Sequence, residues 1–190
     1  MSSALLERAR VAARLGRLRL SAELCDRALA LDPSFEPARE LRLWAALELR
    51  DTRAAVRMVR EALSRDPRRA WTQHAAGVLA QRAGRPDIAV RHLERAVLLA
   101  PACARYRARY ARALADTGAL EAALREGEAA VELSRRRRAA GNAVERDEAP
   151  AAEVLGDVAT AMVRAGHRAR ACELTRERLA LEPENTWAHV

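Results

Sequence analysis

The fold is decided by one stretch of sequence, residues 70–103, which reads AWTQHAAGVLAQRAGRPDIAVRHLERAVLLAPAC. Two apolar runs with helical spacing flank Gly84, and Pro101 follows the second run. Glycine readily adopts the left-handed backbone that ends many helices, and proline cannot continue a helix. The stretch therefore predicts two helices that are joined by a tight turn and followed by a second turn.

The same pattern recurs along the chain at a fixed interval. Pro33, Pro67 and Pro101 each close an apolar run and are spaced 34 residues apart, and Pro183 lies two periods further on after 14 additional residues. A fixed period of this length indicates a stack of equal supersecondary units. The predicted organisation is repeats at 2–35, 36–69, 70–103, 104–137 and 152–185, an inserted linker at 138–151 and a vestigial cap at 186–190.

The phase set by the prolines also aligns small residues. Glycine stands at position 15 of four units, where a turn between helices favours it, and Arg50 is the exception. These glycines are Gly16, Gly84, Gly118 and Gly166. Alanine recurs at positions 20 and 27, and its small side chain lets two antiparallel helices approach closely. These alanines are Ala55, Ala89, Ala123 and Ala171 at position 20, and Ala28, Ala62, Ala96 and Ala130 at position 27.

This pattern resembles the tetratricopeptide repeat family, in which small residues stand at positions 8, 20 and 27 and proline stands at position 32. The resemblance extends over almost the whole chain, and residues 70–103 match it best. Departures are Leu43 and Arg50 at small-residue positions, Arg135 in place of proline and Arg178 in place of alanine. The resemblance implies an all-α fold, a right-handed superhelix of about five helix-turn-helix repeats with a concave inner face.

The composition agrees with an all-helical protein. Half of the residues are hydrophobic but only 3% are aromatic, whereas strands favour aromatic and β-branched residues. All 34 basic residues are arginine, and against 26 acidic residues they leave a formal net charge of +8. We therefore expect an acidic partner rather than a basic one.

The sequence also favours a cytoplasmic, bacterial protein. The first ten residues lack the apolar core of a signal peptide, and no apolar run approaches the ~20 residues of a membrane span. Cys25, Cys103 and Cys172 are odd in number and widely separated, which suits a reducing compartment. We expect Cys25 and Cys172 to be small core residues. The use of arginine to the exclusion of lysine is typical of a GC-rich coding bias.

No catalytic or metal-binding motif stands out. The chain lacks a glycine-rich phosphate loop, a His-Glu-x-x-His motif and a Gly-x-Ser-x-Gly motif, and its four histidines are scattered. We therefore expect no enzymatic activity, no cofactor and no metal. Binding is the function that is left.

The resemblance places binding on the concave face, which the first helix of each unit forms. The candidate partner-binding residues are Trp44, Trp71, His74, Gln81, Arg82, Arg105, Arg109 and Arg112, and all of them except Arg109 are carried over position by position from the resemblance. The last three are spaced i, i+4 and i+7, so they share one side of a helix. Arginine binds carboxylates in a bidentate manner, and an indole accepts an apolar side chain, so the groove suits an acidic peptide or protein. Alternatively, both tryptophans pack between helices.

Two other functions stay open. The sequence ends shortly after the fifth unit, so we expect Leu174 and Leu181 to be partly exposed and to invite self-association, unless Trp187 folds back over them. An arginine-rich chain can also bind nucleic acid, and Arg135–Arg138 is a candidate contact. However, cations also suit the last turn of a helix, and the arginines are interleaved with acidic residues at helical spacing, as in a solvated surface.

Overall fold

The computed structural model of the protein describes residues 1–140 and 151–181. Within these two ranges it contains ten α-helices and no strand, which confirms the all-α prediction. Residues 141–150 of the predicted linker, the predicted cap at 186–190 and Trp187 within it lie outside the described residues.

The ten helices follow one another with short connections, except between α8 and α9. They are α1 (Ser2–Arg14), α2 (Leu18–Leu31), α3 (Glu36–Glu48), α4 (Thr52–Arg65), α5 (Ala70–Arg82), α6 (Pro86–Leu99), α7 (Ala104–Asp116), α8 (Leu120–Ala139), α9 (Ala151–Arg164) and α10 (Arg168–Leu181). The starts of α1, α3, α5 and α7 repeat the 34-residue period of the sequence. The exact boundaries of the repeats stay a prediction. One helix departs from the common length, since α8 has 20 residues where most others have 13 or 14.

Each turn inside a helix pair contains one residue with a left-handed backbone. Four of these residues are glycines with φ between 67° and 83°, and the fifth is Arg50 with φ 55°. In the second pair, Arg50 N donates to Leu47 O and Asp51 N donates to Ala46 O. Gly84 N and Arg85 N make the same pair of bonds in the third. Such bonds satisfy carbonyls that the end of a helix leaves unpaired, so the turn keeps its geometry even where glycine is replaced.

This geometry predicts opposite effects of two substitutions. A Cβ atom at Gly84 would meet no atom within 4 Å, so Gly84→Ala adds only backbone strain and lowers the free energy of unfolding by about 1–2 kcal/mol. Arg50→Gly removes the same kind of strain. It raises the free energy of unfolding by about 0.5–1 kcal/mol, because the more flexible unfolded chain offsets part of the gain. Urea denaturation of both variants checks this, and a stabilised Gly84→Ala or a destabilised Arg50→Gly would contradict it.

The alanines at positions 20 and 27 lie in the interior of the repeats, with one exception. Seven of them are at most 3% exposed: Ala28, Ala55, Ala89, Ala96, Ala123, Ala130 and Ala171. Ala62 is the exception and is half-buried. A larger side chain at these positions would push the helices apart. The recurrence of alanine in the sequence is therefore explained by the packing of the helices.

The chain divides into two compact units, Met1–Leu79 and Ala80–Val190, and each is described by itself. In unit 1, the largest apolar cluster joins α3, α4 and α5 through Leu43, Val59 and Val78. Smaller clusters join α1 and α2 and lie against the start of α3. Unit 1 is therefore held by contacts between successive helices, as expected for stacked repeats.

Unit 2 has its largest apolar cluster among the last four helices. Ala108 of α7, Val131 of α8, Leu155 and Met162 of α9 and Leu174 of α10 are all buried in it. Leu174 is 0% exposed, so the expectation that it is exposed is wrong. Its side chain belongs to this cluster, whereas Leu181, at the end of α10, is only partly buried.

The three thiols differ in exposure. Cys25 and Cys103 are buried, but Cys172 is exposed, so the prediction of a core residue holds for Cys25 and is wrong for Cys172. The reason is helical geometry. Ala171 packs into the unit 2 cluster, and the next residue of the helix points about 100° away from it. Burial, and to a lesser degree Asp26, raises the pKa of the Cys25 thiol from 9.0 to about 11.

Candidate functional site

The candidate residues of unit 1 lie on α3 and α5, and all of them are half-buried. Trp44 belongs to α3, while Trp71 and His74 belong to the first turns of α5. Trp71 packs against the cluster of α3, α4 and α5. Its indole therefore has a packing contact within unit 1, which is the alternative that the sequence left open.

Trp71 also lines a cavity of about 240 Å³ in unit 1. Leu43 and Met58 form part of its apolar lining, and the charged side chains Arg39 and Arg65 also line it. Both arginines already have carboxylate partners, because Arg39 pairs with Glu36 and Arg65 pairs with Glu61. The cavity thus offers apolar surface with charges that are compensated within the chain.

The candidate residues of unit 2 begin at the end of α5. Gln81 is half-buried and Arg82 is exposed. Gln81 Nε2 donates to Asp116 Oδ2 at the end of α7, over 3.4 Å. Asp116 also forms an ion pair with Arg164, at the end of α9. One carboxylate thus connects the ends of three first helices.

The three candidate arginines of α7, Arg105, Arg109 and Arg112, are half-buried, and two of them share one acidic partner. Arg109 Nε lies 2.9 Å from Asp157 Oδ2, and Arg112 Nη1 lies 3.3 Å from Asp157 Oδ1. The Asp157 side chain is only 9% exposed, while those of Arg109 and Arg112 are 19% and 33% exposed. Each oxygen of one buried carboxylate therefore faces a different guanidinium.

Arg105 lies one turn before Arg109 on α7 and is the remaining candidate. Its Nε–H is buried and hydrogen-bonds to no residue of the described ranges. A buried N–H without a partner destabilises the folded state. The guanidinium group of arginine binds carboxylates and phosphates through its N–H groups. Arg105 therefore carries an unsatisfied donor within the described chain, and only the exposed part of its half-buried side chain is open to a ligand.

We call this surface the α7–α9 face and define it by four arginines and two aspartates: Arg105, Arg109, Arg112, Arg164, Asp116 and Asp157. Its charges sum to +2. Arginine forks that keep some exposure can still receive a carboxylate or phosphate on the edge that the internal partner does not use. The face is therefore basic, but much less basic than its arginines alone suggest.

The sequence reasoning missed Asp157 and Arg164 as members of this face. Asp157 is the only charged residue in the run Val154–Met162, most of whose apolar residues are buried. A single carboxylate in a buried helical run requires a cation nearby. The lone carboxylate of Asp157 in this run therefore indicates a nearby cationic side chain. The sequence does not show which side chain that is.

In residues 1–140 and 151–181, no three His, Cys, Asp or Glu side chains are grouped so that they could hold a metal ion. No helix in the same ranges is long and apolar enough to cross a membrane.

Three solved structures have a similar fold. A thermophilic TPR protein of Thermus thermophilus has a TM-score of 0.77 at 17% identity, with 100% of this chain and 95% of that chain covered. YrrB, a TPR protein with an unusual peptide-binding site, has a TM-score of 0.54 at 20% identity, covering 97% and 88%. MamA from Desulfovibrio magneticus RS-1 has a TM-score of 0.60 at 17% identity, covering 97% of each. Identities this low show a shared fold only.

No curated protein matches the chain in sequence. A family model described as Tetratricopeptide repeat does match, over residues 1–34 and 74–143, which together are more than half of the chain. The match includes the turns at Gly16, Gly84 and Gly118, whose left-handed backbones the structure shows. On this match, and on the fold that it shares with solved TPR structures, the chain belongs to the tetratricopeptide repeat family.

Proposed function

We propose that the protein is a non-catalytic adaptor or scaffold of the bacterial cytoplasm that binds an acidic peptide or protein. Membership of the tetratricopeptide repeat family supports a protein-interaction module. One of the structural neighbours, YrrB, is a TPR protein with a peptide-binding site. The proposed contact surface is the α7–α9 face together with Gln81 and Arg82, and Trp44, Trp71 and His74 of unit 1 stay predicted contacts.

The observation that carries this proposal is the exposed side of the arginines on α7. Arg112 is 33% exposed while it contacts Asp157, and the side chain of Arg105 is half-buried, so part of it is open to solvent. A carboxylate on these two groups would gain charge-assisted hydrogen bonds, which are about twice as strong as neutral ones. A ligand with several acidic groups would find a net positive surface.

The alternatives gain less support. Two arginines of the Arg135–Arg138 run already have acidic partners, since Arg135 pairs with Glu177 and Arg136 pairs with Glu132. A nucleic-acid surface needs cations whose charge is available to phosphates. Self-association through the last repeat was based on Leu174 and Leu181, and of these Leu174 is buried while Leu181 is partly exposed.

The test is to replace two arginines of α7 and to measure peptide binding. The probe is a fluorescein-labelled peptide in which glutamates alternate with leucine and alanine, and its counterpart carries glutamines instead. Arg105→Gln with Arg112→Gln should weaken binding of the glutamate peptide by at least about a hundredfold, because charge-assisted hydrogen bonds contribute about 1.5–3 kcal/mol each. Fluorescence anisotropy measures the affinity.

The matched control is Arg91→Gln with Arg95→Gln. It removes the same charge from exposed positions of α6, which is not a first helix. Equal loss of affinity in both double variants would show that only net charge matters and would contradict the proposed surface. An unchanged affinity in the α7 double variant, with its helical circular dichroism intact, would contradict it as well.

A further inference from the structure

Asp157 occupies the place on the α7–α9 face that an acidic ligand would be expected to take. Its two oxygens lie 2.9 Å from Arg109 Nε and 3.3 Å from Arg112 Nη1. These are distances at which a ligand carboxylate would bind the same guanidinium groups. The carboxylate comes from the first helix of the next pair, α9, and so it belongs to the same surface as the arginines.

The burial of Asp157 makes its charge effective. Its side chain is 9% exposed, less than that of either arginine. A charge that is shielded from water acts on its neighbours through a lower dielectric than a surface charge does, and salt screens it less. An incoming acidic group on the outer edge of Arg109 or Arg112 is therefore repelled by Asp157 while the arginines attract it.

We infer that Asp157 is an internal counterion that competes with the acidic groups of a ligand and sets the affinity and charge selectivity of the α7–α9 face. This inference rests on the proposed function. A ligand with one carboxylate gains little on this face, because Asp157 has already neutralised one of the two arginines that it contacts. A peptide with several closely spaced acidic side chains can engage Arg105, Arg112 and Arg164 together, and so it outweighs the repulsion.

Asp116 supports the same interpretation at the other end of the face. It pairs with Arg164 and accepts a hydrogen bond from Gln81. Its side chain is 19% exposed, about twice as much as that of Asp157. Asp116 is therefore a second internal counterion, whose effect on a ligand is weaker because water screens it more.

The test is Asp157→Asn, measured with the glutamate peptide and its glutamine counterpart. Asparagine has nearly the same shape, and its Oδ1 can still accept a hydrogen bond from Arg112. Removing a charge that lies within about 6 Å of the ligand should tighten binding of the glutamate peptide about tenfold. Affinity for the glutamine peptide should not change.

The matched control is Glu128→Gln, which removes one carboxylate charge from the pairing between α8 and α10. Glu128 contacts Arg170 at 2.9 and 3.0 Å, and the hydrogen bond from Arg170 lowers the pKa of Glu128. It carries its charge at neutral pH, as the test requires. Glu128 is not on the α7–α9 face, so the inference expects unchanged affinity in this variant.

The outcomes separate the inference from the proposed function. Unchanged or weaker binding of the glutamate peptide by Asp157→Asn, while the arginine double variant still loses affinity, overturns the role of Asp157 alone. Equal tightening by Glu128→Gln overturns it too. If neither the unaltered protein nor Asp157→Asn binds the glutamate peptide, both proposals fail, whereas binding by the variant alone supports the competition. If Asp157→Asn does not fold, Asp116→Asn is measured in its place. A smaller increase in affinity for the glutamate peptide is expected for this variant. If its affinity does not increase, the inference is overturned.

Discussion

Replacing Leu174 with alanine is expected to lower the free energy of unfolding by about 2–5 kcal/mol. The Leu174 side chain is 0% exposed and packs in the largest apolar cluster of unit 2. Removing three carbon atoms there loses their transfer from water and leaves a cavity that the rigid helices fill only in part. Domains of this kind are stable by only about 5–15 kcal/mol, so the loss is a large share of the total.

The matched control for this prediction is Leu98→Ala. Leu98 is 74% exposed near the end of α6, so the same substitution there should change the free energy of unfolding by less than about 0.5 kcal/mol. Urea denaturation followed by circular dichroism measures both variants. A Leu174→Ala protein as stable as Leu98→Ala would show that α10 is not packed as described.

Gly127→Leu is the second substitution with a large expected effect. Gly127 is a buried residue of α8, and a Cβ atom added there would lie 3.1 Å from both Met162 Cε and Val158 Cγ1 of α9. Contacts this short already require α9 to give way, and leucine adds three further carbon atoms in the same gap. Overpacking of a core typically costs about 1–3 kcal/mol, and it exceeds the gain of up to about 1 kcal/mol from replacing a helical glycine.

The control for Gly127→Leu places the same side chain on the solvent side of the same helix. Arg125 is exposed on α8, so Arg125→Leu should alter stability by no more than about 0.5 kcal/mol. Thermal unfolding distinguishes the two variants. If Gly127→Leu unfolded at the same temperature as Arg125→Leu, the close approach of α8 and α9 would be refuted.

Much of the fold could be predicted from the sequence because the repeat period is a local and redundant signal. Each proline and turn glycine reports the same phase, so one departure such as Arg50 does not disturb it. The structure shows why this departure is tolerated, since Arg50 adopts the left-handed backbone with φ 55°. Individual exposures were harder to predict. Leu174 and Cys172 are two residues apart on α10, yet one is buried and the other is exposed.

The candidate site could be predicted in part for a similar reason. The spacing of Arg105, Arg109 and Arg112 places them on one side of a helix. This prediction needs no knowledge of the tertiary structure. Their acidic partner could not be found in this way. Asp157 lies 45 residues from Arg112 in the sequence, and only the packing of α7 against α9 brings the two together.

The use of alanine at the helix contacts has a consequence for how stability varies with temperature. Seven alanines at two repeat positions are almost completely buried, and each hides little apolar surface compared with leucine or phenylalanine. The heat capacity change of unfolding grows with the apolar area that becomes exposed. A chain whose helices meet through alanine therefore has a smaller heat capacity change per residue, and its stability curve is flatter, with resistance to cold as well as to heat.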